Sequence, residues 1–227
     1  MRISPRWGRV GRRLREHPSA VLLACQLAAV LLYPFLSDTW LGRAGLGVVG
    51  MLVVGLALWA VRRTPALDIV ALALGLPALV FTVLDAAFPG NDAIGLISAS
   101  LHAPFYFYVS YGMIRYLFHD EHVSTDELYA TGAAFTVVAW GFTYLFVAVQ
   151  IIWPGSFATP GAASDPRQWF ELLYLSFTTL TSVGLSDVGP TLAHARSVVM
   201  LEQFAGVMYL ALVVARLVGL TIRRHER

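Results

Sequence analysis

Six runs of apolar residues, each close to the length of a lipid crossing, constrain this chain more than any other feature. They are Ser19–Leu36, Ala44–Val61, Ile69–Leu84, Ala93–Ile114, Tyr129–Trp153 and Leu192–Ile222. A helix needs about 20 mostly apolar residues to cross the roughly 30 Å hydrocarbon layer. Apolar residues make up 57% of the chain and charged residues 13%, against about 45–50% and about 25% in soluble domains. There is too little polar surface to cover this much apolar surface, so lipid covers it. A soluble domain is thereby excluded. The net charge of +2 is too small to indicate nucleic acid. The single Cys25 lies inside an apolar run and leaves no disulfide framework within one chain.

The Arg pattern gives the orientation. All 16 basic residues are Arg. Six precede the first run, at positions 2, 6, 9, 12, 13 and 15. This pairing of basic and apolar segments mimics a signal peptide, but Ser37-Asp38-Thr39-Trp40 has no small-x-small cleavage pattern. The run is read as a first transmembrane helix. With the N-terminus inside, inside segments hold 12 Arg and outside segments hold three (Arg43, Arg167 and Arg196). Positive charge collects on the cytoplasmic side, so both termini are expected in the cytoplasm and the protein in the inner (plasma) membrane.

One apolar segment is too short to cross. Residues 166–180 as a helix would span roughly 22 Å, so the segment is expected to enter and return on one side. Asp165 is expected as its N-cap and Pro166 at its first position. It runs into Thr181-Ser-Val-Gly-Leu-Ser-Asp187, followed by Val188-Gly-Pro190, which does not favour helix. Non-helical backbone at membrane depth is tolerated only where protein buries it or it lines water. A re-entrant helix entering from outside points its negative C-terminal end at the membrane centre, which favours a cation. An extended strand beyond it can aim successive carbonyls at an axis and replace an ion's hydration shell. One chain supplies one such strand, so a ring needs several copies under cyclic symmetry.

The stretch Tyr174-Leu-Ser-Phe-Thr-Thr-Leu-Thr-Ser-Val-Gly-Leu-Ser-Asp187 resembles the pore helix and filter of the tetrameric potassium-channel family. There, a Thr-rich helix runs into Thr-Val-Gly-Tyr-Gly-Asp. Ser182, Val183, Gly184, Leu185, Ser186 and Asp187 stand at those six positions. The last run is similar to the family's inner helix, and the resemblance covers about residues 166–222.

It implies an all-α membrane protein with six transmembrane helices, a re-entrant pore helix and an extended filter. The architecture would be voltage-gated-like without an Arg-rich fourth helix. The implied organisation is a cytoplasmic segment 1–18, a four-helix peripheral domain 19–122, a pore domain 123–222 and a cytoplasmic tail 223–227. Within the pore domain the outer helix is 129–153, the pore helix 166–180, the filter 181–187 and the inner helix 192–222. The implied ion path is Thr181 through Asp187, with K+ against the carbonyls of Ser182, Val183, Gly184 and Leu185. Gly206 is the implied gating hinge, and Glu202, Thr178 and Thr179 the implied filter support. No cofactor other than K+ ions is implied. The partners would be three further copies of the chain in a homotetramer, membrane lipids and permeant monovalent cations.

Three positions depart from the family pattern. Ser182 keeps the hydroxyl of the Thr it replaces, and Leu185 lacks the hydroxyl of the usual Tyr. Ser186 replaces a Gly; if that position needs a positive φ, a non-Gly residue costs about 1–2 kcal/mol. Potassium selectivity is the leading expectation and a non-selective cation channel the alternative. A membrane enzyme, a transporter or a sensor with a vestigial pore stands behind these.

Other residues have blander readings beside functional ones. Glu202 is an intramembrane carboxylate that either titrates or bonds the pore helix, to Thr178 or Thr179. His102 and Pro104 mark a ligand site, or a buried histidine and a kink. Phe105, Tyr106, Phe107, Tyr108 and Tyr111 form an aromatic box or plain packing. Gly45, Gly47, Gly50 and Gly55 suggest close helix packing. Asp187 and Arg196 pair at the outer mouth, or Arg196 reaches to the interface. His119, Asp120, Glu121, His122, Asp126 and Glu127 hold a metal or form a solvated linker. Between Ala93 and Leu117 the only Arg is Arg115, and steep voltage gating needs several charges, because each supplies only about 2.3 kcal/mol per 100 mV.

Overall fold

A computed structural model describes residues 18–37, 39–61, 65–118, 125–159 and 165–225. The N-terminal Arg cluster, Arg62, Arg63 and the cluster His119–His122 lie outside the described residues, as do the side chains of Arg43, Arg223 and Arg224.

Helices α1 (Pro18–Leu36), α2 (Trp40–Val61), α3 (Pro65–Ala87), α4 (Asp92–Leu117) and α5 (Thr125–Ile152) follow one another. After them come a two-residue strand β1 (Phe157–Ala158), a short helix α6 (Trp169–Leu180), strand β2 (Gly189–Pro190) and helix α7 (Ala193–His225). Among the described residues five helices are long and apolar enough to cross a membrane: α1, α3, α4, α5 and α7. The second expected span is also helical, as α2, Trp40–Val61.

Neighbouring helices pack in sequence from α1 to α5, and α1 returns to lie against α5. Helix α5 also contacts α6 and α7. It is the central element, with 61% of its spanning residues buried against 17% in α1, α3 and α7. One core joins Leu22, Phe105, Tyr106, Val109, Val137 and Trp140 with Leu173 of α6. A second joins Phe142 and Phe146 of α5, Leu172, Leu175 and Leu180 of α6, and Val199 of α7. So α6 is held on both flanks by α5.

Several polar groups inside the bundle are paired between helices. Ser19 caps α1 on Asp126, through its N–H at 3.0 Å and its hydroxyl at 2.7 Å. His102 is buried between Thr82 Oγ1 at 2.9 Å and the Ser98 carbonyl at 2.7 Å, and stacks on Tyr144 at 4.3 Å. Phe105 and Tyr106 are buried in the core, whereas Tyr111 is exposed. Of the four α2 glycines singled out in the sequence, a side chain at Gly47 would meet Thr82 and one at Gly50 would meet Trp140, while at Gly45 and Gly55 it would find nothing within 4 Å. Close packing therefore involves two of them.

Helix α6 begins three residues later than expected. Gln168, not Asp165, is the N-cap, and Gln168 and Glu171 form a reciprocal capping box. The cause lies in α5. The Gln150 side chain donates to the Arg167 carbonyl at 2.9 Å and accepts from the Arg167 N–H at 3.0 Å. That peptide is thereby held extended, and the helix starts beyond it. At 12 residues, α6 spans about 18 Å, well short of a crossing. The β1–β2 ladder, which pairs Phe157 with Pro190 and Ala158 with Gly189, is a small addition to the all-helical expectation. It ties the chain leaving α5 to the chain entering α7.

Candidate functional site

The last carbonyls of a helix have no partner within it. At the end of α6 the following non-helical segment, residues 181–187, supplies donors. The Ser182 N–H bonds the Thr179 carbonyl at 3.0 Å, and the N–H groups of Val183 and Gly184 both bond the Thr178 carbonyl at 3.0 Å. Three successive N–H groups therefore face back toward α6. The backbone manages this by entering the left-handed region at alternate residues, with φ of 60° at Ser182 and 68° at Gly184. Such alternation gathers consecutive N–H groups on one side and turns the carbonyls away from it. Among the described hydrogen bonds none ends on the carbonyls of Ser182, Val183 or Gly184. Val183 and Leu185 are 59% and 72% exposed.

Thr178 and Thr179 thus act on the 181–187 strand through their carbonyls rather than their hydroxyls; the Thr178 hydroxyl donates to Leu175 within the helix at 2.9 Å. The strain expected at Ser186 lies elsewhere. Ser186 is not in the left-handed region, and its hydroxyl accepts the Val188 N–H at 3.2 Å. The non-glycine residue in that region is Ser182, at a cost of about 1–2 kcal/mol.

Leu185 differs from the residues below it. Its carbonyl accepts the Tyr174 hydroxyl at 3.2 Å. Tyr174 does not stand out in the sequence, although helical spacing puts Tyr174, Thr178 and Thr181 on one face.

Glu202 is fully buried on α7, and its Oε1 bonds the hydroxyl of Ser176 rather than Thr178 or Thr179. The same Ser176 oxygen lies 2.9 Å from the Ala139 carbonyl of α5, so one hydroxyl links α5, α6 and α7. Ser176 is the second site residue that the sequence did not reveal. Four residues beyond Glu202, a side chain at Gly206 would overlap the Leu180 carbonyl, the last of α6. Only glycine lets α7 approach that carbonyl.

At the mouth, Asp187 is exposed and Arg196 Nε donates to the Pro190 carbonyl at 3.4 Å, not to Asp187. At the opposite end of α7, Arg216 pairs with Glu127 at 3.3 Å and lies over the Phe118 ring. Both members of that pair are nearly buried. No three His, Cys, Asp or Glu side chains gather as metal ligands among the described residues.

Residues 132–223, about two fifths of the chain, match a protein-family model described as an ion channel. The match covers most of α5, all of α6 and the 181–187 strand, and most of α7. No curated protein and no solved structure matches the chain. The match, together with the apolar helices, supports a multi-pass membrane protein in which residues 132–223 are similar to ion channels.

Proposed function

We propose that the protein is a potassium-selective channel, conducting passively through a pore built by four copies of the chain. The observation that carries this reading is the 182–184 strand, with its N–H groups bonded to α6 and its carbonyls left free. Four such strands around an axis supply stacked rings of oxygen able to replace an ion's water. Helix α6 serves as the pore helix, with its negative end toward the ion path. Ions pass Asp187 and the carbonyls of Gly184, Val183 and Ser182, with Thr181 below. Helix α7 lines the cavity beyond through Val207, Leu210, Val214 and Val218, which are exposed along it. Gly206, packed on Leu180, is the pivot about which the lower part of α7 moves. The Arg distribution supports a reading with both termini in the cytoplasm and the protein in the inner (plasma) membrane. With no Arg in α4 before Arg115, opening is not steeply voltage-dependent.

A non-selective monovalent cation channel is the second reading. The bond from Tyr174 to the Leu185 carbonyl favours it, because a carbonyl so engaged is withdrawn from an outermost ring.

Reversal potential in proteoliposomes under a potassium/sodium gradient separates the two. Selectivity gives reversal near the potassium equilibrium potential, and Gly184→Asp abolishes the current. Reversal near zero, abolished by the same variant, establishes the second reading.

A further inference from the structure

Ser176 of α6 has a single hydroxyl hydrogen and an oxygen neighbour on each of two other helices. Its Oγ lies 2.9 Å from the Ala139 carbonyl of α5 and bonds Glu202 Oε1 of α7. All three residues are fully buried. Two oxygens at hydrogen-bonding separation attract each other only when a hydrogen lies between them. One hydroxyl hydrogen cannot fill both gaps.

A peptide carbonyl has no hydrogen to give and can only accept. The Ala139 carbonyl accepts the Thr143 hydroxyl as well, at 2.8 Å. The hydrogen between Ser176 and Ala139 is therefore that of Ser176. The hydrogen between Ser176 and Glu202 must then belong to Glu202, and a carboxyl group carries one only when it is protonated. The other carboxyl oxygen points to the same state. Glu202 Oε2 is enclosed and has no hydrogen-bond partner among the described residues. Ser176, which bonds Oε1, is uncharged. A buried carboxylate needs a counter-charge or a full set of donors, and Glu202 has neither among the described residues.

We infer that Glu202 is a neutral carboxylic acid that donates its proton to Ser176, while Ser176 donates its own hydrogen to the Ala139 carbonyl. The bonds run in one direction, from α7 through α6 to α5, and each hydrogen is used once. An ionised Glu202 would turn the Ser176 hydroxyl round and break the bond to α5.

This makes Glu202 a positioning residue. One turn further along α7, Gly206 lets that helix approach the Leu180 carbonyl, so α7 holds α6 at two levels. Between them lies Thr178, whose carbonyl accepts the N–H groups of Val183 and Gly184. A shift of α6 therefore carries residues 182–184 with it. The bearing on conduction rests on the channel reading; the protonation state does not.

The test is infrared spectroscopy of the full-length protein in lipid vesicles at neutral pH, with and without isotope-labelled carbon in the Glu carboxyl groups. A carboxylic acid has a carbonyl band that a carboxylate lacks. The expected wild-type spectrum has such a band, and the label shifts it. The band disappears in Glu202→Gln and changes frequency in Ser176→Ala, where the acid loses its acceptor. Because the label needs no substitution, the wild-type result stands even where a variant fails to fold. No label-sensitive acid band, its survival in Glu202→Gln, or an unmoved band in Ser176→Ala would each overturn the inference. Conduction tests the positioning role separately. Glu202→Gln keeps a donor for Ser176, whereas Glu202→Met keeps the bulk without one. Current in the Gln variant is expected to exceed that in the Met variant about tenfold at equal protein, the effect of one hydrogen bond. Equal currents would overturn the positioning role, and the infrared result decides the protonation state whether or not the protein conducts.

Discussion

Two hydroxyl groups on α6, separated by one residue, do different work. Ser176 reaches inward to Glu202 and Ala139, and Tyr174 reaches along the strand to Leu185. The Tyr174 bond links an α6 side chain to the Leu185 carbonyl, at a position where Leu185 itself has no hydroxyl to offer. A hydrogen bond of this kind contributes about 1 kcal/mol net. Removing it with Tyr174→Phe frees the Leu185 carbonyl to join the rings below. The expected outcome is a potassium-to-sodium permeability ratio raised severalfold, read as a shift of reversal potential at unchanged protein level. An unchanged ratio means that the bond does not govern the outer ring. The sequence motif located the end of α6 and the non-helical segment 181–187, because two glycines, β-branched residues and Pro190 disfavour helix there. It did not disclose where the backbone strain lies. That is decided by which α6 carbonyls need donors, and the answer fell on Ser182 rather than Ser186.

At the scale of elements, the long helices were legible because length and apolarity alone define a crossing. Their limits agree with the expected runs to within a few residues. What could not be read were features set by partners distant in sequence. Gln150 delays the start of α6 from 17 residues away, and β1 finds β2 across more than 30 residues. A cavity beside Trp169 is assembled from six helices and has no local pattern at all. The contact between α6 and α7 was legible in part. Gly206 stood out as a candidate hinge, and its close approach to Leu180 gives that glycine a packing role as well. A methyl group there must push α7 away from the end of α6, and overpacking of this kind costs about 1–3 kcal/mol. Gly206→Ala is therefore expected to lower the thermal midpoint by several degrees and to reduce or abolish current. A variant with wild-type stability and conductance would show that the two helices separate freely at that point.

At the scale of the whole molecule, the exposed surfaces indicate assembly. Along α7, Met200, Leu201, Phe204, Val207, Leu210, Val214 and Val218 are all exposed in the single chain, as are Val183 and Leu185. Lipid can cover apolar side chains, but it cannot bond free carbonyls. The carbonyls of residues 182–184 therefore need water, ions or another copy around them, whereas the outer faces of α1 and α3 need only lipid. In the proposed assembly of four copies, closed rotational symmetry surrounds each 181–187 segment equally. This makes the number of copies measurable without resolving the assembly. Gly184→Asp places a carboxylate at the centre of each affected strand, and one such strand is enough to obstruct a shared axis. If wild-type and variant chains are mixed equally and assemble at random in fours, about one sixteenth of assemblies contain only wild-type chains. The expected current is that fraction of the unmixed value at equal total protein. A residue near one quarter would indicate two copies per pore, and a residue near one half would mean that each chain conducts alone.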